Sequence, residues 1–396
     1  MITVDEAKKI IREEVKQLSP ALALVSQAAG LVLASDVYAD SDIPAFAQSS
    51  MDGYAISFAG WQSHKTLQIS GEVPAGSGET ISFSPHQATR IFTGAPVPDG
   101  ADTVVMQEKV KAINGELFIS DDHLTTGLNV RPKGAEIKAG EIALRAGTVL
   151  SPAAIGFLTG IGITNVVVYP KPVVGIIVTG KELQQPGKPL LRGQVYESNS
   201  YTLTAALQQQ GIKNVKIYWA DDNLEILKTV LETALVETEL VLLTGGISVG
   251  DYDFVLQAAT QCGITKLFHR LKQRPGKPLY FGKKDNRPVF GLPGNPSSVL
   301  TCFYEYVLPA LQQLSNQKNE GLKILKAPLA GRFEKAAGLT HFLKGYFDGE
   351  KVTALEAQES YRLSSFAKAN CLIRIGEGTI SCQEGEEVEI HLLPAN

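Results

Sequence analysis

Cysteine is scarce in this chain, and its spacing excludes two common uses. The 396 residues include four cysteines, none of which forms a CxxC pair: Cys262, Cys302, Cys371 and Cys382. A zinc site or a disulfide framework is therefore not expected, and a reducing cytoplasm fits the composition. An excess of positive charge is also lacking, because 37 basic residues stand against 41 acidic ones. The net charge of -4 argues against a general nucleic-acid-binding protein, so any anion site must come from a local basic cluster.

Long uncharged runs are rare as well, and the clearest one does not suit a membrane helix. Residues 146–170 carry no charge, but they contain two prolines, four glycines and several hydroxyl or amide side chains. We expect a short helix that is capped by Ser151, begins with Pro152 and ends near Gly160, followed by a strand. The N-terminal residues mix acids with bases and do not resemble a signal peptide. These absences predict a cytoplasmic protein that binds neither membranes nor nucleic acids.

The pattern of apolar residues changes along the chain. Residues 3–18 have the periodicity of an amphipathic helix, with a capping-box pattern at Thr3 and Glu6. Short apolar runs broken by Gly and Pro predict a small β domain from about 50 to 140. Strands and helices alternate over 171–314, which predicts a parallel sheet with helices on both faces. The last 75 residues return to short strands.

We therefore predict a multidomain α/β plus β protein, because 396 residues are too many for one compact core. Its centre is a doubly wound, mostly parallel α/β domain. The predicted domains are a discontinuous linker domain (1–48 plus 138–170), an inserted β domain (49–137), the α/β domain (171–318) and a C-terminal β domain (319–396).

Three strands of the α/β domain end in unusual loops. These are "VTGKEL" with Glu182, "LTGGISVGDYD" with Gly245, Gly246, Ser248 and Asp253, and "VFGLPGNPSSVL" with Pro293, Gly294, Asn295 and Pro296. In open parallel sheets, ligands bind outside the carboxyl ends of the strands. Glycine lets the backbone approach a ligand, and a helix N-terminus presents free N–H groups to an anion. One such loop alone is better explained as an ordinary turn, but three on one sheet indicate a phosphate site.

Carboxylates in these loops indicate a cation, because they would otherwise repel a phosphate. Mg²⁺ takes hard oxygen ligands from one or two carboxylates plus substrate phosphates. Glu182 and Asp253 are the candidates, together with Asp222 at the start of a helix. Taken alone, Asp222 is better explained as a helix cap.

A basic segment, "FHRLKQRPGKPLYFG", lies between the second and third loops and contains Arg270, Arg274 and Lys277. A basic run is usually a solvated face. This one ends in "RPGKP", a rigid turn that could aim Lys277 inward. In a slightly acidic chain, the segment is a candidate anion pocket.

Six motifs follow one another in the order found in one family: "QSSMDGYA", "IFTGAPVPDGADTVVMQE", "TGKEL", "TGGISVGDYD", "RPGKP" and "GLPGNPSS". In these motifs the chain resembles the molybdopterin molybdenumtransferases, the MoeA proteins, whose eukaryotic relative is the gephyrin E domain. The resemblance spans most of the chain and is weakest in the last 75 residues. It implies an α/β domain of the molybdopterin-binding type, similar to the adenylylating partner of the same pathway.

The resemblance also implies a reaction and its participants. Adenylylated molybdopterin and molybdate bind with Mg²⁺, molybdenum is placed on the dithiolene sulfurs, and AMP is released. It implies a homodimer whose cleft lies between the α/β domain of one subunit and the inserted β domain of the other. Transient contact with the molybdopterin adenylyltransferase is expected as well.

The resemblance assigns roles to residues that match the motifs of the family. It implies catalytic roles for Asp52, Thr93, Glu182, Asp222 and Asp253, and metal-binding roles for Glu136, Glu182 and Asp253. Glu136 stands where the family usually has Asp. Arg270 and Arg274 stand where relatives often carry Lys, and Arg suits bidentate contact with an oxyanion. Substrate or anion binding is implied for Gly245, Gly246, Ser248, Arg270, Arg274, Lys277, Pro293, Gly294, Asn295, Pro296, Lys344 and Ser365.

The expected mechanism is electrostatic, because no residue resembles a covalent nucleophile. Cys262 and Cys302 fall in predicted helices and are better explained as core residues. Two alternatives belong to other classes: a binding and scaffold protein, as gephyrin's E domain is at membranes, and an adenylyltransferase acting on molybdopterin. The acids at three strand ends disfavour the first, and the extra domains disfavour the second.

Overall fold

The structure is a computed structural model that describes residues 1–78, 81–221, 223–245, 254–318 and 321–394. The chain divides into two compact units. Unit 1 comprises Met1–Leu22, Gly30–Ala34 and Val167–Asn396, and unit 2 comprises Ala23–Ala29 and Ser35–Val166. This division is coarser than the four predicted domains, whose boundaries stay a prediction.

The N-terminal helix of unit 1 spans Val4–Glu14 and has the predicted capping box, in which Thr3 and Glu6 bond reciprocally. It buries Val4, Ala7 and Ile11. The helix is shorter than the predicted 3–18 because Val15 is extended, with φ -77° and ψ 132°. Tertiary contacts replace the missing last turn: Val15 is buried, and the N–H of Leu18 donates to the carbonyl of Leu314 at 2.9 Å.

Six strands form the central sheet of unit 1. Their order across the sheet is Val215–Ala220, Val174–Thr179, Leu240–Thr244, Arg287–Leu292, Tyr280–Lys284 and Thr265–His269. The first four strands are parallel, and the last two run antiparallel to their neighbours. The central strands Val174–Thr179 and Leu240–Thr244 are buried at every residue, as their continuous apolar sequences predicted. The prediction of a mostly parallel sheet is confirmed.

Helices cover both faces of this sheet. Successive strand residues point to opposite faces, so Ile176 and Leu242 belong to one apolar core while Ile177 and Leu243 belong to another. The first core includes the N-terminal helix and the second does not. The other helices of unit 1 within the described residues include the α-helices Asn199–Gln209, Leu224–Glu237, Phe254–Gln261, Pro296–Cys302 and Leu308–Leu314, the π-helix Phe303–Val307 and the 3-10 helix Phe366–Lys368.

The four cysteines are free and buried, which confirms the interpretation of Cys262 and Cys302 as core residues. Cys302 is the last residue of its helix. The sequence predicted that Cys262 also lies in a helix, but it follows the helix Phe254–Gln261 by one residue. None of the helices in the described part of the chain has the length and apolar composition needed to span a bilayer.

A second sheet of unit 1 contains the C-terminal strands. Its order is Gln273–Arg274, Thr340–Phe347, Cys371–Ile375, Glu387–Leu392 and Lys323–Pro328, with Val352–Ala354 paired to Thr340–Phe347. The short strand Gln273–Arg274 comes from the basic segment and runs parallel to Thr340–His341. The "RPGKP" turn is thereby fixed to the C-terminal sheet. Short pairs elsewhere in unit 1 are Leu183–Gln184 with Val195–Tyr196 and Phe333–Glu334 with Ser381–Cys382.

A buried ionic network joins the N-terminal helix, the π-helix and the last strand. Glu305 is 2% exposed and accepts hydrogen bonds from Lys8 Nζ at 2.5 Å and His391 Nδ1 at 2.7 Å. The other ring nitrogen, Nε2, lies 2.8 Å from Glu389 Oε1. Arg374 then bridges Glu389 at 3.1 Å and Asp5 at 2.7 Å. The network ties segments that are distant in sequence into one unit.

Unit 2 contains its own six-stranded sheet, in the order Thr103–Met106, Gly53–Ile56, Gln87–Ile91, Thr66–Val73, Glu116–Ile119 and Val110–Ile113. Thr66–Val73 and Gln87–Ile91 are parallel, and the other neighbours are antiparallel. Its α-helices among the described residues are Phe58–Ser63 and Pro152–Gly160. Ser151 caps the second helix and Pro152 begins it, as predicted. Strand Asn165–Tyr169 follows and continues into unit 1.

Candidate functional site

A cleft of about 630 Å³ lies at the strand ends of the central sheet in unit 1. Residues of the C-terminal region, from Leu339 to Tyr361, complete its wall. The cleft brings together seven residues that the sequence singled out: Glu182, Gly245, Arg274, Lys277, Pro293, Gly294 and Asn295. It therefore joins parts of the three predicted strand-end loops and of the "RPGKP" turn in one concave surface, although it does not include every predicted residue.

Glycine backbone forms part of the cleft at the strand ends. Gly245 has φ +84°, and a Cβ there would lie 2.8 Å from the carbonyl oxygen of Thr179. Thr179 in turn donates its hydroxyl to the carbonyl of Thr244 at 3.1 Å. A Cβ on Gly294 would come within 4.0 Å of the Gly245 Cα. Gly245 is therefore required by its backbone conformation and by the nearby Thr179 carbonyl, and neither glycine adds a side chain to the surface of the cleft.

The loop before helix Pro296–Cys302 is held from two sides. Asn199 Nδ2 donates to the carbonyl of Gly294 at 2.9 Å, and Asn295 Nδ2 donates to Ser360 Oγ at 2.8 Å. The N–H of Ser297 donates to the carbonyl of Ser360 at 3.0 Å. Pro296 is the first helical residue and does not line the cleft. The loop is therefore rigidly attached to the C-terminal region.

The basic segment divides into residues that line the cleft and one that does not. Arg274 and Lys277 line it, whereas Arg270 does not. Arg270 has φ +74°, and its N–H donates to the carbonyl of Leu279 at 3.2 Å. Within the described residues none of the three forms an ion pair, although the neighbouring Lys272 lies 3.7 Å from Glu377. Two cationic side chains are thus available at the cleft.

Of the predicted acids in unit 1, only Glu182 lies within the described residues, where it lines the cleft. Asp222 and Asp253, with Gly246 and Ser248, lie outside them. The helix Leu224–Glu237 is capped by Asn223, whose side chain accepts from the N–H groups of Glu225 and Ile226 at 3.0 and 3.1 Å. Glu359 also lines the cleft and was missed from the sequence.

Lys344 and Ser365 are buried and do not line this cleft. Lys344 Nζ donates to the carbonyls of Ala357, Glu359 and Arg362 at 2.7, 3.3 and 3.1 Å. Burial lowers the pKa of this ammonium group. Ser365 Oγ donates to the same Ala357 carbonyl at 2.8 Å. Both side chains hold the loop that forms the cleft wall, and their direct contact with an anion stays a prediction.

Asp52 and Thr93 meet in unit 2. The N–H and the hydroxyl of Thr93 both donate to Asp52 Oδ1, at 2.8 and 2.7 Å. These two bonds lower the pKa of the Asp52 carboxyl below its ordinary value. The following Gly53 is required, because a Cβ there would clash with the carbonyl of Val105. The motif "MDGYA" thus presents one exposed carboxylate in a fixed orientation.

Arg90 and Glu136 also lie in unit 2. Arg90 lies near Asp52: its guanidinium group donates to the carbonyl of Gly53 at 3.4 Å and to Gln107 Oε1 at 2.6 Å. No sequence motif indicates Arg90 as a site residue, because it is a single basic residue within a strand. Glu136 is exposed, and its N–H donates to the carbonyl of Ile43 at 2.9 Å.

The described acids fit Mg²⁺ only as a partial ligand set. Among the described residues, no group of three or more His, Cys, Asp or Glu side chains could hold a metal ion. Glu182 and Glu359 supply carboxylate oxygens at the cleft, and Mg²⁺ commonly takes one or two carboxylates with substrate phosphates. The donor chemistry is therefore suitable, and the ligand set stays a prediction.

Three family models match consecutive parts of the chain. They are the MoeA N-terminal region (domain I and II) at residues 2–162, a probable molybdopterin binding domain at residues 175–313, and the MoeA C-terminal region (domain IV) at residues 326–393. The three matches follow the order of the sequence motifs.

Whole proteins and solved structures are similar over the full length. A Haemophilus influenzae protein named molybdopterin molybdenumtransferase is 32% identical, covering 99% of this chain and 100% of that protein. A Staphylococcus epidermidis protein of the same name is 34% identical, covering 100% and 96%. A crystal structure of a molybdopterin biosynthesis MoeA protein from Pyrococcus horikoshii has a TM-score of 0.84 at 28% identity, covering 99% of each chain. The expected fold is confirmed by this agreement.

Proposed function

Because the chain belongs to the family of the molybdopterin molybdenumtransferases (MoeA), enzymes of molybdenum cofactor biosynthesis, we propose that it inserts molybdate into adenylylated molybdopterin and releases AMP. The observation that supports this reaction best is the cleft of unit 1. There, glycine backbone and two unpaired cationic side chains among the described residues line one space. Such a lining suits two anions bound side by side, a nucleotide phosphate and molybdate.

Binding and orientation account for most of the proposed catalysis. Gly245 and Gly294 line the cleft without side chains, so in this proposal the nucleotide phosphates approach the backbone at the strand ends. Arg274 and Lys277 hold molybdate beside the dithiolene sulfurs, and proximity of the two reactants supplies much of the rate. The arginine adds planar, bidentate hydrogen bonding to the oxyanion.

The acids have a separate role in this proposal. Glu182, with Asp253, would hold Mg²⁺ at the cleft, and Glu136 would contribute from the inserted β domain. Bound there, the ion would supply positive charge that stabilises the departing phosphate of AMP. Thr93 donates two hydrogen bonds that fix the orientation of the ionised Asp52 carboxylate, and in this proposal Asp52 orients the substrate.

Covalent catalysis by a thiol is disfavoured by the state of the cysteines. All four are buried, and burial raises the pKa of Cys302 and raises that of Cys371 to about 12. The reactive thiolate form is therefore scarce near neutral pH. The reaction is proposed to proceed by direct transfer between bound substrates.

Product analysis tests the proposed reaction. Purified protein is incubated with nucleotide-labelled adenylylated molybdopterin, and AMP is measured with and without molybdate and Mg²⁺. We expect AMP release that requires both. ATP consumption with unmodified molybdopterin would support the adenylyltransferase alternative. If folded protein neither releases AMP nor consumes ATP, the scaffold alternative is supported.

Three further proposals concern the location, the oligomeric state and the partner of the enzyme. We propose a cytoplasmic homodimer with a composite site, which receives its substrate through transient contact with the molybdopterin adenylyltransferase. These statements rest on the family resemblance and on the cysteine usage.

A further inference from the structure

A buried amide lies directly beneath the "RPGKP" turn. Gln273 is 0% exposed, although it is adjacent to exposed Arg274. Its Nε2 donates to the carbonyl of Pro275 at 2.8 Å. Its Oε1 accepts a hydrogen bond from the hydroxyl of Tyr306, which is also 0% exposed. A buried polar side chain is costly unless its hydrogen bonds are made, so this arrangement requires that the turn keep its orientation.

A second buried group holds the next residue of the turn. The thiol of Cys302 lies 3.9 Å from the carbonyl oxygen of Gly276, within reach of a weak hydrogen bond. Gly276 has φ +84°, and a Cβ there would lie 2.5 Å from the sulfur and 2.9 Å from Gln273 Nε2. The turn is therefore packed against the amide and the thiol. Only glycine fits at this position.

The direction of these two carbonyls determines the direction of two N–H groups. In a trans peptide, the carbonyl and the N–H point in opposite directions. Because the carbonyls of Pro275 and Gly276 point into the core, the N–H groups of Gly276 and Lys277 point away from it. Neither N–H has a hydrogen-bond acceptor within the described residues. Both residues line the cleft.

We infer that Gln273 is a positioning residue, whose buried amide orients the turn so that the N–H groups of Gly276 and Lys277 bind a tetrahedral oxyanion in the cleft. Successive backbone N–H groups in such a turn form an anion-binding concavity. The side chains of Arg274 and Lys277 add positive charge beside them. Tyr306 acts one step further away, by fixing the amide of Gln273. The inference rests on the proposed function, because molybdate and the nucleotide phosphate are the two oxyanions of that reaction.

The experiment compares buried glutamines at and away from the cleft. Gln273→Met removes the donor to Pro275 with little change in volume, and Gln273→Met/Tyr306→Phe also removes the hydroxyl that would be left unpaired. Gln312→Met is the matched control, because Gln312 is 8% exposed and accepts from the N–H of Gly321 at 2.6 Å, away from the cleft. Calorimetric titration with molybdate alone and with AMP alone is combined with thermal unfolding and with steady-state kinetics.

We expect Gln273→Met to weaken binding of one oxyanion by about tenfold, because two hydrogen bonds to a charged group are misaligned. The matching KM should rise by a similar factor while kcat changes less than twofold. The double variant should regain thermal stability without regaining affinity, which a merely structural role would not produce. Selective loss for molybdate or for AMP identifies the anion.

Three results would overturn the inference. They are unchanged affinity for both anions in folded Gln273 variants, an equal loss in Gln312→Met, and wild-type protein that binds neither anion. AMP release by wild-type protein is measured in parallel. If that activity is present while the Gln273 variants bind normally, the proposed function stands and the role of Gln273 is wrong.

Discussion

Arg270 and Arg274 belong to one short basic segment, yet only Arg274 lines the cleft. We expect Arg274→Ala to raise the molybdate concentration needed for half-maximal rate by about tenfold, because a charge-assisted hydrogen bond to the oxyanion is lost. Arg270→Ala serves as the matched variant and should change this value less than threefold. The measurement is KM for molybdate at saturating pterin substrate. Equal effects of the two substitutions would contradict the assignment of the cleft as the molybdate site.

Asp52 offers a second test at the scale of single residues. Thr93→Val removes the hydroxyl donor and keeps the N–H donor, so the pKa of Asp52 should rise toward its ordinary value of 3.8. A carboxyl group whose pKa is lower in the folded than in the unfolded protein stabilises the fold at pH values above its unfolded-state pKa. This stabilisation is lost as the pH falls through its folded-state pKa. The advantage of wild type over Thr93→Val should therefore be present near pH 7 and vanish in strong acid. NMR titration of Asp52 measures the shift, and Thr125→Val, at an exposed position, should leave it unchanged.

Single residues differ in how well the sequence predicts them. Gly245, Gly294 and Lys277 belong to local motifs, and the structure places them in one cleft. Gln273 and Glu359 have no such motif, because their positions depend on contacts with residues far away in the chain. The 29-residue separation between Gln273 and Cys302 is an example. Lys344 matched a functional position, but three carbonyls that no sequence pattern indicates surround its ammonium group.

The π-helix Phe303–Val307 carries Glu305 into the buried ionic network. We expect Glu305→Gln to lower the free energy of unfolding at pH 7 by about 3–5 kcal/mol, because it removes the buried negative charge that pairs with Lys8 and lies 2.7 Å from His391 Nδ1. Urea unfolding measures this change. Glu13→Gln is the control, since Glu13 is exposed and its pair with Lys9 spans 3.8 Å. If Glu305→Gln lowers the free energy of unfolding no more than Glu13→Gln does, the network contributes little to stability.

The same network predicts how this stability depends on pH. Burial by itself raises the pKa of Glu305, but Lys8 and His391 more than offset it, so that the pKa falls from 4.5 to about 2. The stabilisation is fully present above pH 4.5 and is lost as the pH falls toward 2. The difference between wild type and Glu305→Gln should shrink over that interval. A difference that stays constant down to pH 2 would contradict the depressed pKa.

Elements were predictable where a local pattern determines them. The capping residue and the proline that follows it predicted the helix Pro152–Gly160, and the alternation of strands and helices over 171–314 predicted the central parallel strands. The early end of the N-terminal helix depends on a hydrogen bond from Leu18 to Leu314. The π-helix and the strand Gln273–Arg274 likewise depend on packing partners from other parts of unit 1. Tertiary contacts overrode local preference at these places.

At the scale of the whole molecule, the proposed dimer makes a sharp prediction. Asp52 belongs to unit 2 and Glu182 to unit 1, and the family resemblance implies that a site combines them from different subunits. Inactive Asp52→Ala and Glu182→Ala proteins are mixed, dissociated and allowed to reassociate. About half of the dimers should be mixed, each with one intact site, so roughly a quarter of all sites should work. Exchange is verified by mass, and a mixture that exchanges but stays inactive would place the site within one chain.

The position of the N-terminal helix has a consequence for the order in which the molecule is made. Val4, Ala7 and Ile11 pack in the same core as Phe303, Leu311 and Leu314, which leave the ribosome almost 300 residues later. At roughly 5–20 residues per second, the helix waits about 15–60 seconds for its partners. An 11-residue helix is marginal by itself in water. This helix is synthesised long before its partners and is therefore among the last segments to fold, so its apolar face stays open to chaperones until residues 303–314 have been made.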